Sequence, residues 1–367
     1  MAIQSLALIG NAIDISWYYQ GIEEFTKLVR RTIVFKLLGT ACIFLFVNCK
    51  SDVWIYVAIQ TGTIFIGNLI LWLNIRITNN LNKVSFSQII SHFKPALLLF
   101  IPQVAIEIYA VFDKTMLGVL ANVTQVGLYT KAEEFAKVPL MIISVLSTVL
   151  FPKLSNQFKK NGISILNESL NQNLQIVGFI GIGASFGIAG IANEFVKWMM
   201  GEEFLGAIPL LYILSPLTFF IGTSNMIGRQ YLLPANKNKT FTITVISGAI
   251  INFVLNLVFI PKYGGVGACI ATVLAEGSVA YLQYLFVRIV VNKRVYYTEL
   301  LKCFVSGTIM FFIIRLLGRM ITINILNTFI QIGIGSVVYI VLAYFFKNRI
   351  ALHILDSLFS LIKKKGV

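Results

Sequence analysis

Residues 173–196 read NLQIVGFIGIGASFGIAGIANEFV, twenty-four positions with a single charged side chain, Glu194. About 20 consecutive apolar residues are enough for a helix to cross the hydrocarbon core of a bilayer, so this stretch predicts a membrane span. Ten more of the same kind lie near 2–19, 32–48, 53–74, 95–118, 127–151, 206–228, 241–260, 265–287, 300–318 and 325–346. The chain therefore reads as an all-α integral membrane protein of about eleven transmembrane helices.

Composition supports the same conclusion. Of the 367 residues 57% are hydrophobic and only 12% are charged, about half the charge that soluble domains carry. The mean hydropathy is +0.83. A cytosolic enzyme, a disordered chain and a secreted disulfide scaffold are excluded. The longest connections, 75–94, 152–172 and 347–367, are too short to fold alone as a catalytic or nucleotide-binding domain. Cys42, Cys49, Cys269 and Cys303 are scattered, and His92 and His353 have no partners at metal-ligand spacing, so neither a disulfide framework nor a metal site is expected.

The net charge of +15 would suggest nucleic acid in a soluble protein. Here its distribution argues otherwise. Odd-numbered connections with the span ends beside them, and the tail, hold 21 of the 30 Lys and Arg residues, among them Arg30, Arg31, Lys83, Lys159, Lys237, Arg288 and Lys363. Even-numbered connections with the span ends beside them hold five: Lys50, Lys197, Lys262, Arg315 and Arg319. This alternation follows the positive-inside rule. It predicts a multi-pass protein of the bacterial cytoplasmic (inner) membrane, with the C-terminus in the cytoplasm, the N-terminus outside and no nucleic-acid partner. The Lys-rich tail can also touch anionic membrane lipids.

An internal repeat is legible at an offset of about 210 residues. Tyr19-Gln20-Gly21, a short basic stretch and a span ending Phe44-Leu45-Phe46-Val47 correspond to Arg229-Gln230-Tyr231, Pro234 to Lys239, and a span ending Leu257-Val258-Phe259-Ile260. One lysine follows each (Lys50, Lys262) in a short turn. If spans seven to nine repeat spans one to three, a complete two-fold repeat calls for three helices ahead of residue 1. The expected organisation is residues 1–80 as three helices of an incomplete N-terminal bundle, 81–290 as a complete six-helix bundle, and 291–367 as two added helices with a basic tail.

Phe100-Ile101-Pro102, Asp113-Lys114-Thr115-Met116-Leu117-Gly118, Val126-Gly127-Leu128-Tyr129, Ala132-Glu133-Glu134 and Phe151-Pro152-Lys153-Leu154-Ser155 resemble the second bundle of polysaccharide flippases. These are the O-antigen and capsule repeat-unit transporters of the multidrug/oligosaccharidyl-lipid/polysaccharide exporter superfamily. Asp14 to Glu23 is similar to the end of their fourth helix, and Ile260-Pro261-Lys262 with Gly264 to Ala268 to the join of their eleventh and twelfth. The resemblance implies a MATE-like two-bundle architecture. It also implies that this chain holds helices four to fourteen.

Ionisable groups inside a bilayer are costly and need a partner or an aqueous cavity. Gln103, Glu107 and Lys114 share one helical face, with Tyr109 and Asp113 beside it, and Lys131, Glu133, Glu134 and Lys137 cluster in the fifth span. As cavity-lining groups, the lysines would attract a pyrophosphate and the carboxylates would pair them or carry protons; as plain helix pairs, they would neutralise one another. Glu276 sits among small residues of the ninth span, either as a buried hydrogen-bonded group on a packing face or in transport. Asn252 and Asn256 are read as interhelical hydrogen bonds. Pro102, Pro139 and Pro216 are expected to interrupt their spans.

The function these features and the resemblance imply is a carrier, not an enzyme. It would move undecaprenyl-pyrophosphate-type lipid-linked oligosaccharide to the outer leaflet through a cavity between two bundles. Other polysaccharide-assembly proteins would be its neighbours. No cofactor is called for, and coupling to a proton or sodium gradient is left open. No phosphate-cradling loop, zinc spacing or nucleophile–base pair is present to support covalent chemistry. A drug or cation exporter of the same superfamily, a membrane polysaccharide polymerase or ligase, and an inactive truncated remnant are the alternatives.

Overall fold

The computed structural model describes residues 2–73, 85–320 and 324–356. Among them every regular element is helical. Two compact units are present, Met1–Ile90 and Ser91–Val367.

The first unit contains α1 (Ala2–Ala12), α2 (Ser16–Gly21), α3 (Phe25–Phe46), α4 (Val53–Leu73) and α5 (Phe86–Ser91), which reaches the boundary. The single span expected over 2–19 is two helices. The break falls at Asp14: its Oδ1 accepts from the Ser16 amide at 2.8 Å, a local side-chain bond that competes with helix continuation. Polar side chains then tie these helices to α4. The Tyr19 hydroxyl donates to the Leu71 carbonyl (2.8 Å), Trp72 Nε1 to the Ile13 carbonyl (2.7 Å) and Asn68 Nδ2 to the Gly10 carbonyl (2.8 Å). Arg31, a loop residue in the sequence reading, lies inside α3 and donates to Asn68 Oδ1 at 2.7 Å.

The second unit contains α6 (Phe93–Leu120), α7 (Val123–Ala136), α8 (Leu140–Asn161), α9 (Ile163–Phe195), α10 (Ala207–Leu214), α11 (Leu217–Ile227), α12 (Asn238–Tyr263), α13 (Gly265–Val287), α14 (Lys293–Met320) and α15 (Ile325–Phe345). Widened π turns extend α9 over Val196–Met200 and α11 over Gly228–Leu232. The prolines divide in their effect. Pro139 separates α7 from α8, where Val138 N–H reaches back only to the Phe135 carbonyl, as expected when a missing N–H and a ring clash stop the helix. Pro216 separates α10 from α11. Pro102 does not interrupt: α6 runs through it from Phe93 to Leu120. A proline can bend a long helix without ending it.

The eleven spans of the sequence reading map one for one onto α1–α2, α3, α4, α6, α7–α8, α9, α10–α11, α12, α13, α14 and α15. Among the described residues seven of these are long and apolar enough to cross a membrane, and large apolar side chains such as Phe44, Val119 and Ile289 are exposed. Helices of this kind satisfy their own backbone groups within lipid, so this is a multi-pass membrane protein.

One core of the second unit positions the site. Leu117, Tyr129, Ala132, Leu211 and Leu214 are fully buried where α6, α7 and α10 meet. The α12–α13 hairpin closes on this group through Gly264, whose φ of 54° and ψ of −129° suit only glycine. Gly265 N–H donates to Gln125 Oε1 of α7, fixing the hairpin against the start of that helix.

Candidate functional site

Asp113 stands in the last third of α6, inside the bundle and 1% exposed. Three other helices supply its polar partners. Asn256 of α12 donates through Nδ2 to Asp113 Oδ1 at 2.5 Å. Tyr129 of α7 donates to Oδ2 at 3.2 Å. Thr272 of α13 lies 3.2 Å from the same oxygen and 2.9 Å from the Tyr129 hydroxyl. Its one hydroxyl proton also faces the Ala268 carbonyl at 2.9 Å.

Local sequence explains the placement. Asn252 and Asn256 are one turn apart on α12, so their amides stack, with Asn256 Nδ2 also 3.2 Å from Asn252 Oδ1. Asn122 caps α7 by accepting from Gln125 N–H at 2.9 Å, which starts that helix so that Tyr129 faces α6. The result is a dry polar island: Tyr129, Asn252, Asn256 and Thr272 are each at most 2% exposed.

Among the described residues no lysine or arginine forms an ion pair with Asp113. Its sequence neighbour Lys114 turns to Glu133 instead, at 3.2 Å. Glu133, 4% exposed, takes Lys137 on its other oxygen at 2.6 Å, so one buried carboxylate bridges two lysines from α6 and the end of α7. Among the described residues no hydrogen bond joins this compensated cluster to the Asp113 island, although Glu133 is close enough to act on it electrostatically.

The island is rich in oxygen: the Asp113 carboxylate, the side-chain carbonyls of Asn252 and Asn256, the Thr272 and Tyr129 hydroxyls and the Ala268 carbonyl. Asn256 Oδ1 and Asn252 Nδ2 are buried with no partner. Oxygen sets of this kind suit hard cations, and a monovalent ion or a proton is the species that would neutralise Asp113.

The other sequence candidates fall in different places. Lys131 and Glu134 pair with each other at 2.8 Å on an exposed face. Glu107 is exposed on α6. The backbone of Gln103 belongs to α6, and its side chain lies outside the described residues. Glu276 is 7% exposed and lines a different cavity on α13, with Arg229 and Gln283. Sequence reasoning passed over Thr272 and Tyr129 and assigned Asn252 and Asn256 to packing alone. The available signal was the i, i+4 pair of asparagines opposite Asp113, because two amides on one helical face inside a membrane call for a third polar partner.

Comparison with known proteins agrees with this architecture. Residues 1–158 match the family described as polysaccharide biosynthesis protein. A protein of Escherichia coli (strain K12) named as an O-antigen transporter is 27% identical over 287 residues, 77% of this chain and 68% of the relative. A low-salt glycan biosynthesis flippase of Haloferax volcanii is 25% identical over 72% of this chain and 56% of its own length. The solved structure of the lipid II flippase MurJ in an inward closed conformation superposes with a TM-score of 0.60 at 24% identity, covering 80% of this chain and 63% of that one; this likeness establishes a shared fold. The chain is thus similar over residues 1–158 to the polysaccharide biosynthesis protein family, and over about three quarters of its length to these relatives.

Proposed function

We propose that the chain works as a flippase, carrying a lipid-linked oligosaccharide of the polyprenyl-pyrophosphate type from the cytoplasmic to the outer leaflet of the bacterial inner membrane, and that Asp113 couples this movement to a monovalent cation or a proton. The names of its relatives support the substrate class. The observation that carries the coupling role is Asp113 itself: a carboxylate hydrogen-bonded by neutral groups from three other helices, with a buried unpartnered amide oxygen, Asn256 Oδ1, beside it. An isolated ionised group in such surroundings costs several kcal/mol. A cation or proton removes that cost, so the packing of α6, α7, α12 and α13 differs in stability with and without it. That difference is what lets an ion gradient bias a conformational equilibrium.

The carrier makes and breaks no covalent bond of its substrate. Lys114 and Lys137, held by Glu133, are the cationic groups nearest the coupling island and supply attraction for a pyrophosphate. In this reading residues 81–290 act as one transport bundle and 291–367 contribute the added helices, with the basic connections in the cytoplasm. The test is deletion of the gene in its own host. Surface glycan should be lost and lipid-linked repeat units should accumulate in the cytoplasmic leaflet. Unchanged surface glycan overturns the proposal.

A further inference from the structure

A second polar feature lies beside the Asp113 island. A cavity of about 130 Å³ lies between α6, α11, α12 and α13; its polar lining is Ser224, Asn225, Arg229, Glu276 and Gln283, and apolar side chains, Val279 and Phe241 among them, form the rest of its wall. It has room for a short file of waters. Gln283 is 1% exposed; its Nε2 donates to Thr244 Oγ1 at 3.2 Å, while its Oε1 is buried without a partner.

The helices give this cavity a direction. On α13 the residues Thr272, Glu276 and Gln283 fall on one face at i, i+4 and i+11. Thr272 belongs to the Asp113 island, Glu276 is one turn away, about 6 Å along the axis, and Gln283 about 10 Å further on. The far end lies where α12 begins and α13 finishes, beside Lys237, Lys239 and Arg288, the basic side that the positive-inside rule assigns to the cytoplasm. The π turn at Gly228–Leu232 widens α11 and brings Arg229 to this end, where it is exposed. Within the cavity Val279 stands between Glu276 and Gln283 along α13, and it packs so close to α12 that a Cβ on Gly248 would run into its side chain. On this helix pair an apolar side chain thus divides the Gln283 end of the cavity from the Glu276 end, which is the end nearer Thr272 and the island.

We propose that this cavity is the access path by which the coupling cation or proton passes between the cytoplasmic side and Asp113, with Glu276 and Gln283 as its intermediate oxygen ligands and Val279 as its constriction. The path rests on the coupling role assigned to Asp113 above. Arg229 at the mouth carries the charge that repels a cation, and Glu276 inside offsets it, so passage is slow but open.

The test uses the purified full chain. Release of bound radioactive sodium after dilution, and release of protons to a pH-reporting dye after a pH jump, are followed in parallel to distinguish the two ions. Val279→Phe should slow release of whichever ion binds at least tenfold, with equilibrium affinity within about twofold of the parent. Val279→Ala should speed release, and Arg229→Gln should raise the association rate. Val258→Phe, on an exposed face of α12, should change nothing. Asp113→Asn should abolish binding. If Asp113→Asn abolishes binding while Val279→Phe, Val279→Ala and Arg229→Gln all exchange at the parental rate, the path is wrong and the coupling site stands. If binding survives Asp113→Asn, the coupling role falls and the path with it. Should Val279→Phe fail to fold, Val279→Ala and Arg229→Gln decide the question alone.

Discussion

Asn256 Nδ2 and Asp113 Oδ1 lie 2.5 Å apart, and this one bond joins α12 to α6 across the interior of the second unit. Asp113 is acceptor-only when ionised, and three neutral donors converge on it. Replacing it by alanine strands those donors in a dry interior, at roughly 1–3 kcal/mol for each unsatisfied group. Replacing it by asparagine keeps the shape and removes the charge. Asp113→Ala should therefore lower the melting temperature of the detergent-purified protein by several degrees and abolish glycan export. Asp113→Asn should abolish export with melting nearly unchanged. Export near the parental level in Asp113→Asn would remove the carboxylate from the mechanism.

The two acidic neighbours on α7 should behave differently. Glu133 is buried and holds both Lys114 and Lys137, so Glu133→Ala leaves two positive charges facing each other near α6. Loss of a buried partner costs about 3–5 kcal/mol, less here because both lysines are over a third exposed; roughly 2 kcal/mol is expected. Glu134 pairs with Lys131 on the surface, and Glu134→Ala should cost under about 1 kcal/mol. Thermal melts of the two variants side by side check the order. A Glu134→Ala variant that melts lower than Glu133→Ala would contradict the assignment.

The hairpin glycine offers a backbone test. Gly264 has a φ of 54° with ψ of −129°, and Gly267 lies so close to the Phe259 carbonyl that a Cβ there would strike it. Gly264→Ala forces a side chain into a conformation that costs of order 1–3 kcal/mol and pushes against Gln125. Expression in membranes should drop, and α7 should lose its anchor on the hairpin. The readout is hydrogen exchange over residues 123–136, which should rise in this variant and stay low in Gly127→Ala, where no atom lies within 4 Å of the added methyl.

The positions and order of the apolar spans were legible in the sequence because lipid imposes a simple rule of length and apolarity. That three of them are each divided into two helices was only partly legible. Pro139 and Pro216 stop their helices, but the break at 13–15 goes with Asp14 accepting from the Ser16 amide, a local bond that hydropathy does not register. The candidate site was half legible. Asp113 and the Glu133 cluster stood out as charges in apolar helices. Which charge meets which depends on the pairing of α6 with α12 and α13, helices separated by more than a hundred residues. Thr272 and Tyr129 are common helix residues until that pairing brings them to a carboxylate. Glu276 was visible as an ionisable group, and only the cavity with Gln283 shows its setting.

Asn68 makes the last prediction, in the first unit. At 4% exposure on α4 it accepts from Arg31 of α3 and donates to the Gly10 carbonyl of α1, so one amide joins three helices. Asp14 lies 3.9 Å from the same guanidinium and is 42% exposed. Asn68→Leu removes both bonds, and Arg31 Nε is already buried without a partner, so the guanidinium is left with weak contacts in an apolar setting. A loss of about 2–4 kcal/mol is expected from the stranded charge and the missing bonds. Asn68→Asp restores an acceptor and adds an opposite charge, so it should retain the anchor on Arg31. Asp14→Ala should cost under about 1 kcal/mol for its exposed pair. Limited proteolysis with mass spectrometry reads the result. Asn68→Leu should expose cleavage sites within residues 2–73 while residues 91–320 stay protected, and Asn68→Asp should be cut at the parental rate. Equal protection of residues 2–73 in all three variants would show that the burial of Tyr19 and Leu71, and not the amide, holds these helices together.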